Sequence, residues 1–238
     1  MWDDQVAALS GRARCIRPDA FGCGAEPQID PPPAGALTVD AWAEAILAAL
    51  DDAGVEKFAL AGLSMGGYLA LALHRAAPER ITALALLATR AAPDAAPARS
   101  NRLAIVGRLR ANGVSARDAE VEPAVERLLS ERARTEFHIS DPVRGRARRC
   151  SPEGMAACQE AMAARPDSTA QLATITVPTL VVAGEQDAIV PVDEMRAMAG
   201  AIQGARFEVA AGAAHLVNLE EPEKVNVLLG EWLDSAGY

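Results

Sequence analysis

The stretch from residue 57 to residue 89 constrains the fold most. It reads KFALAGLS, then MGGYLALALHRAAPER, then ITALALLAT: two short apolar runs of strand length on either side of a helical one. Strands that are apolar on both faces belong to a parallel sheet covered by helices on both sides. The same alternation continues outward. A helix is expected over TVDAWAEAILAALDDAG, with Thr38 as its cap, Asp40 in its positive first turn and Gly54 at its end. Downstream, TLVVAGEQD reads as a strand, VDEMRAMAGAI as a helix, ARFEVAAG as a strand, and a last helix follows Pro222 and ends near Trp232. Residues 12–19 (RARCIRPD) read as a further strand that enters the loop FGCG and then the proline-rich PPPAG. No internal repeat is present.

Between residues 90 and 172 the period changes. Strand-like runs vanish, Arg, Glu and Ala dominate, and proline-bounded helical pieces such as EPAVERLLSERARTEF and PEGMAACQEAMAAR replace them. The expected organisation is therefore an α/β core formed by residues 1–90 and 173–238, with a helical insertion at 91–172. Residues 99–149 hold 12 Arg against 7 acids, +5, so the rest of the 238-residue chain carries -14 to reach its net -9. Two readings of the basic insertion stand open: a solvated face laced with salt bridges, or a cover that draws small anionic substrates. The overall acidity would repel phosphate backbones, so nucleic acid is excluded as a general partner. Charges break every apolar run before it reaches the roughly 18 residues of a membrane helix, so no bilayer span is expected. Cys15, Cys23, Cys150 and Cys158 show neither CxxC pairing nor a framework spacing, and no signal peptide opens the chain, which points to a reduced cytoplasmic protein. Cys23 has no evident neighbour to lower its pKa and is expected to be inert packing.

Chemistry concentrates at Gly62-Leu63-Ser64-Met65-Gly66, where an expected strand meets an expected helix. A sharp strand-to-helix turn strains its central residue, and flanking glycines relieve the crowding. Ser64 then projects its hydroxyl over the carboxyl edge of the sheet, and the Met65 backbone N–H becomes a donor to an oxyanion. A serine hydroxyl is a poor nucleophile without a base, and the chain holds three histidines. His74 lies about two and a half turns along the helix after Ser64 and cannot curl back, so it is a surface or packing residue. His138 lies in the insertion and could at most line a pocket. His215, in GAAHLVN, follows the last strand at a carboxyl end, where the loops of an open α/β sheet gather round a site. Asp187 lies just past TLVVAGEQ, at another carboxyl end, as the acid that would orient this base; Glu185 and Asp193 are weaker substitutes. The chain order is Ser, Asp, His.

WDDQVAAL with RPDAFGCG, AGLSMGGYLAL, VPTLVVAGEQDAIVP and GAAHLVNLEEPE together resemble the α/β-hydrolase fold family. The likeness is to the small bacterial group of 3-oxoadipate enol-lactonase-like and carboxylesterase-like enzymes. It spans nearly the whole chain, with the insertion at the place of the family's helical cap before the last two strands. It implies hydrolysis of a small carboxylic ester or lactone without metal or organic cofactor, with Ser64 as nucleophile, Asp187 as acid and His215 as base. Aminopeptidase, perhydrolase and carbon–carbon hydrolase relatives share these residues, whereas a dehalogenase would carry a carboxylate at position 64. Some departures stand out: Phe21 and Glu26 in the first loop, Ala213-Ala214 where a glycine is common, and the family's opening strands and His-Gly oxyanion loop, which would precede Met1. The last leaves two expectations. Either Met1 is an internal methionine of a longer reading frame, or residues 12–19 slide over to pair with the strand before Ser64 in a short variant. A non-catalytic hydrolase-fold protein is the reading from a different class.

Overall fold

The structure, a computed structural model, describes residues 1–24 and 33–238. Glu26 and the first two prolines of PPPAG lie outside the described residues. Four parallel strands form one sheet in the order β1 (Phe58–Leu63), β2 (Ile81–Leu87), β3 (Thr179–Gly184) and β4 (Arg206–Ala210). Each step to the next strand is therefore a crossover that carries helices, as parallel pairing requires. The register aligns Leu63 with Leu87, Leu87 with Val182, and Gly184 with Ala210, which brings the carboxyl ends of all four strands to one rim.

Period-2 alternation divides the core. Leu84 and Leu86 of β2 and Val181 and Ala183 of β3 pack on α3 (Met65–Ala76) and α8 (Val192–Gly200). Ala83, Ala85 and Leu87, with Leu180 and Val182, face α10 (Pro222–Ser235) and Leu9 of α1 (Asp3–Leu9) on the other side. Apart from the half-buried Thr82, both faces of β2 and β3 are dry, which is why their sequences are apolar but for Thr82 and Thr179. α2 (Val39–Asp52) begins where the Thr38 hydroxyl accepts from Ala41 N–H at 3.0 Å, and it buries Val39, Trp42, Ala43 and Leu50. Gly54, at φ +67°, turns the chain out of it.

Between β2 and β3 lie α4 (Ala96–Leu128), α5 (Glu131–Thr135), α6 (Phe137–Arg149) and α7 (Pro152–Ala164). α4 kinks at Gly113, and α7 seats Ala157, Cys158 and Ala161 on Trp42, Tyr68 and Leu69 of the core. The arginines of these helices are largely answered by acids: Arg108 by Glu120, Arg110 by Glu153 and Glu160, Arg132 by Glu136 and Glu221, and Arg144 by Glu122 and Asp141. Most of these arginines are thus held in ion pairs, several of them with acids outside residues 99–149, such as Asp3, Asp94, Glu153, Glu160 and Glu221. No helix among the described residues is long and apolar enough to cross a membrane.

Two expectations fail. Residues 12–19 form no strand: Ile16 is 44% exposed, Arg17 pairs with Asp3, and Pro18 has no N–H to give a ladder. The alternation of RARCIRPD is a run of solvated arginines and not a buried face. Cys23 is not packing either, because its sulfur is bonded to Cys150, 127 residues away. This bond joins the turn after Phe21 to the start of α7, where Ser151 N–H also donates to the Gly22 carbonyl at 2.6 Å. Spacing along the chain carries no record of that proximity.

Candidate active site

β1 ends at Leu63, and Ser64 takes φ 53° and ψ −115°, a conformation that costs a non-glycine residue on the order of 1–3 kcal/mol. Its neighbours hold it there. Ser64 N–H extends the ladder to the Leu87 carbonyl at 2.9 Å, while the Ser64 carbonyl accepts from Thr89 Oγ1 at 2.8 Å and from Gly67 N–H at 2.9 Å. The flanking glycines are not equivalent. A Cβ on Gly62 would lie 2.2 Å from the Gly66 carbonyl oxygen, whereas one on Gly66 would meet nothing within 4 Å. The turn needs a bare position at 62 and not at 66; further on, a Cβ on Gly67 would lie 2.3 Å from Thr89 Oγ1. Met65 N–H stands at the head of α3, among the first four amides that have no intrahelical acceptor, and the positive end of the helix lies beside Ser64.

The loop after β4 carries His215, which is 1% exposed. β3 reaches this loop so closely that a Cβ on Gly184 would sit 1.9 Å from the Ala214 carbonyl oxygen. His215 Nε2 lies 2.7 Å from Ser64 Oγ, and His215 Nδ1 lies 2.8 Å from Asp187 Oδ2. Asp187 sits in the turn after β3 with its side chain fully buried, and its Oδ1 accepts from Ile189 N–H at 2.8 Å and from Val190 N–H at 3.0 Å. The ionised carboxylate can only accept, so Nδ1 must carry the imidazole proton. Nε2 is then the bare nitrogen, facing the serine hydroxyl as its acceptor. Three strand ends thus bring together Ser64, Asp187 and His215, which stand 151 and 28 residues apart along the relay.

The other candidates do not reach this site. Asp193 projects into solvent with its side chain 98% exposed, and Glu185 accepts from Gly212 N–H at 2.8 Å. His74 is buried in α3, where desolvation lowers its pKa. His138 stands on the surface of α6, 3.7 Å from Glu136. Among the described residues, no group of three or more His, Cys, Asp or Glu could hold a metal ion.

Sequence reasoning missed a carboxylate beside the His215 loop. Glu220, the last residue of α9 (Val217–Glu220), is 3% exposed and accepts from Ala214 N–H at 3.2 Å and from Ser130 N–H at 3.1 Å. Burial pushes its carboxyl above the usual range, and the hydrogen bonds from Ser130 and Ala214 and the charge of Arg132 pull against that. The string LEEP carries no mark that distinguishes Glu220 from the half-exposed Glu221.

The sequence profile of the alpha/beta hydrolase family matches residues 1–227. The 3-oxoadipate enol-lactonase 1 of Acinetobacter baylyi is 30% identical over 237 residues, covering 94% of this chain and 80% of the relative. Among solved structures, a thermophilic esterase from Thermogutta terrifontis, determined with malate bound, superposes with a TM-score of 0.92. It is 36% identical and aligns over 100% of this chain and 85% of its own. The enol-lactonase of Burkholderia xenovorans LB400 gives a TM-score of 0.88 at 26% identity, over 98% of this chain and 85% of its own.

Proposed function

Because the chain belongs to the alpha/beta hydrolase family, we propose that it is a serine hydrolase that cleaves small carboxylic esters or lactones through an acyl-enzyme on Ser64. The observation that carries this reading is the unbroken relay from Ser64 Oγ through the His215 ring to Asp187 Oδ2, at 2.7 and 2.8 Å. His215 Nε2 takes the hydroxyl proton as Oγ attacks the carbonyl carbon, and Asp187 stabilises the imidazolium that forms. Met65 N–H, with the dipole of α3 behind it, donates to the oxyanion of the tetrahedral intermediate. The imidazolium returns its proton to the departing alkoxide, which in a lactone stays attached through the acyl chain. Water deprotonated by the same nitrogen then releases the acid. No step calls for a metal or an organic cofactor.

Residues 91–172, which carry helices α4–α7, serve as the cap that shapes the acyl pocket. The ester or lactone class rests on the relatives, an enol-lactonase and an esterase, at 30% and 36% identity. We assign the working compartment to the cytoplasm, although the Cys23–Cys150 bond runs against the fully reduced state expected there, and thiol counting on freshly isolated protein checks this. The test of function is a panel of lactones, methyl esters and aryl esters, run on the parent and on Ser64→Ala. Turnover by the parent and loss of at least a thousandfold in the variant are expected. Full activity in Ser64→Ala would overturn the assignment.

A further inference from the structure

Glu220 poses a problem that the relay does not solve. An acid buried to 3% exposure is costly, and this one hydrogen-bonds neither Ser64, Asp187 nor His215. Its two oxygens go instead to two backbone amides from different parts of the chain. Oε1 takes the N–H of Ala214, the residue before His215; Oε2 takes the N–H of Ser130, the N-cap of α5. Two residues before Ser130, the Leu128 carbonyl at the end of α4 accepts from both His215 N–H and Leu216 N–H at 3.2 Å. Three consecutive amides, 214 to 216, are therefore held at the α4–α5 junction, one through Glu220 and two through Leu128. The base is carried on a loop that hangs from the helical insertion as much as from its own strand.

We propose that Glu220 is a positioning residue that ties the α4–α5 junction to the peptide preceding His215, so that the seating of the helical insertion sets how well Nε2 meets Ser64 Oγ. The proposal rests on Ser64 and His215 acting as nucleophile and base. A misplacement of about 1 Å in such a pair costs on the order of a hundredfold in rate.

Glu220→Gln tests it. The amide offers one acceptor to two N–H groups and turns its NH2 against the other. On p-nitrophenyl acetate, kcat per active site titrated is expected to fall about 10- to 100-fold with KM within about twofold, and phosphonate inactivation of Ser64 should slow in parallel. A second pair stands independent of that variant's folding. Ser130 has φ −62°, and Leu129 before it has φ −115° and ψ 147°, so the backbone at 130 already has the angles proline needs, while the ring would push the Glu220 carboxylate out of the place it holds 3.1 Å from the nitrogen. Ser130→Pro and Ser130→Ala both lose the hydroxyl, but only proline loses the N–H that Glu220 accepts. The proline variant should have a kcat at least about tenfold below the alanine variant, again at similar KM. Equal kcat per titrated site in the proline and alanine pair, or a change confined to KM or thermal stability, would overturn the proposal. Full turnover in Ser64→Ala would overturn it together with the function; dependence on Ser64 with unchanged kcat in Glu220→Gln would overturn it alone.

Discussion

Asparagine at position 187 should abolish catalysis while leaving the fold in place, and the structure fixes why. Asp187 Oδ1 is committed to Ile189 N–H and Val190 N–H, at 2.8 and 3.0 Å. An asparagine can serve both only if its carbonyl oxygen takes that position, which points its NH2 at His215 Nδ1. The opposite rotamer sets the NH2 against two buried amides, at about 1–3 kcal/mol for each orphaned donor, so it is disfavoured by roughly 2–6 kcal/mol. With a donor facing it, Nδ1 must become the acceptor and Nε2 must carry the proton, so the lone pair that Ser64 Oγ meets at 2.7 Å is gone. In the Ser-His-Asp template, this wrong tautomer lowers kcat by about 10⁴, which is about 5.4 kcal/mol at 1.36 kcal/mol per tenfold. Stability should change much less, because the neutral side chain keeps both backbone hydrogen bonds and replaces the third with one from its NH2 to His215 Nδ1. Initial rates on p-nitrophenyl acetate, with a urea melt on the same preparation, measure both quantities. A kcat within tenfold of the parent in well-folded protein would refute Asp187 as the group that orients the base.

Three further outcomes follow from the geometry. Gly62→Ala should cost several kcal/mol or prevent folding, while Gly66→Ala should be tolerated, since only the first Cβ meets backbone; comparable urea midpoints for the two would contradict this. Cys150→Ser should lower unfolding free energy in oxidised protein by about 2–5 kcal/mol, the range for a bridge that closes a long loop; an unchanged midpoint with and without reductant would show that the bond to Cys23 bears no load. Asp94→Asn should cost about 3–5 kcal/mol, because Arg165, whose side chain is 3% exposed, loses the carboxylate 2.8 Å away. Desolvation raises the Asp94 pKa, but the bonds from Arg165 and Arg102 outweigh it and hold the carboxyl below its ordinary 3.8. The stability Asp94 contributes is therefore complete above about pH 3.8 and is lost as pH falls through the lowered value, so the parent's advantage over Asp94→Asn should shrink on acidification. A constant gap between their urea midpoints from pH 6 down to about pH 2 would contradict it.

What the sequence disclosed was what local pattern and strand-end chemistry can carry. The apolar runs at 81–87 and 179–184 form strands whose two faces are almost wholly buried, and period and composition report burial directly; the run at 58–63 reads the same way, although it is the edge strand, with Ala61 exposed and only Gly62 and Leu63 fully buried. Ser64, Asp187 and His215 were found together because each follows a strand and all parallel strands end at one rim. What stayed hidden depends on partners distant in the chain. RARCIRPD alternates like a strand, yet a strand needs a ladder, and here its arginines take acids and solvent instead. The pairing of Cys23 with Cys150 and the double bond acceptance of Glu220 are products of the way the insertion folds back on the core. In that region EPAVERLLSERARTEF is two helices and not one, broken at Leu129 where Ser130 caps a new start and gives its N–H to Glu220.

The central claim is that Ser64 becomes acylated. Incubation with a fluorophosphonate, followed by intact mass and peptide mapping, measures it directly. A single adduct is expected, on the peptide that contains Ser64, with ester hydrolysis lost in proportion to labelling and with labelling abolished in His215→Ala. An adduct on another residue, or ester turnover that persists in fully labelled protein, would contradict it.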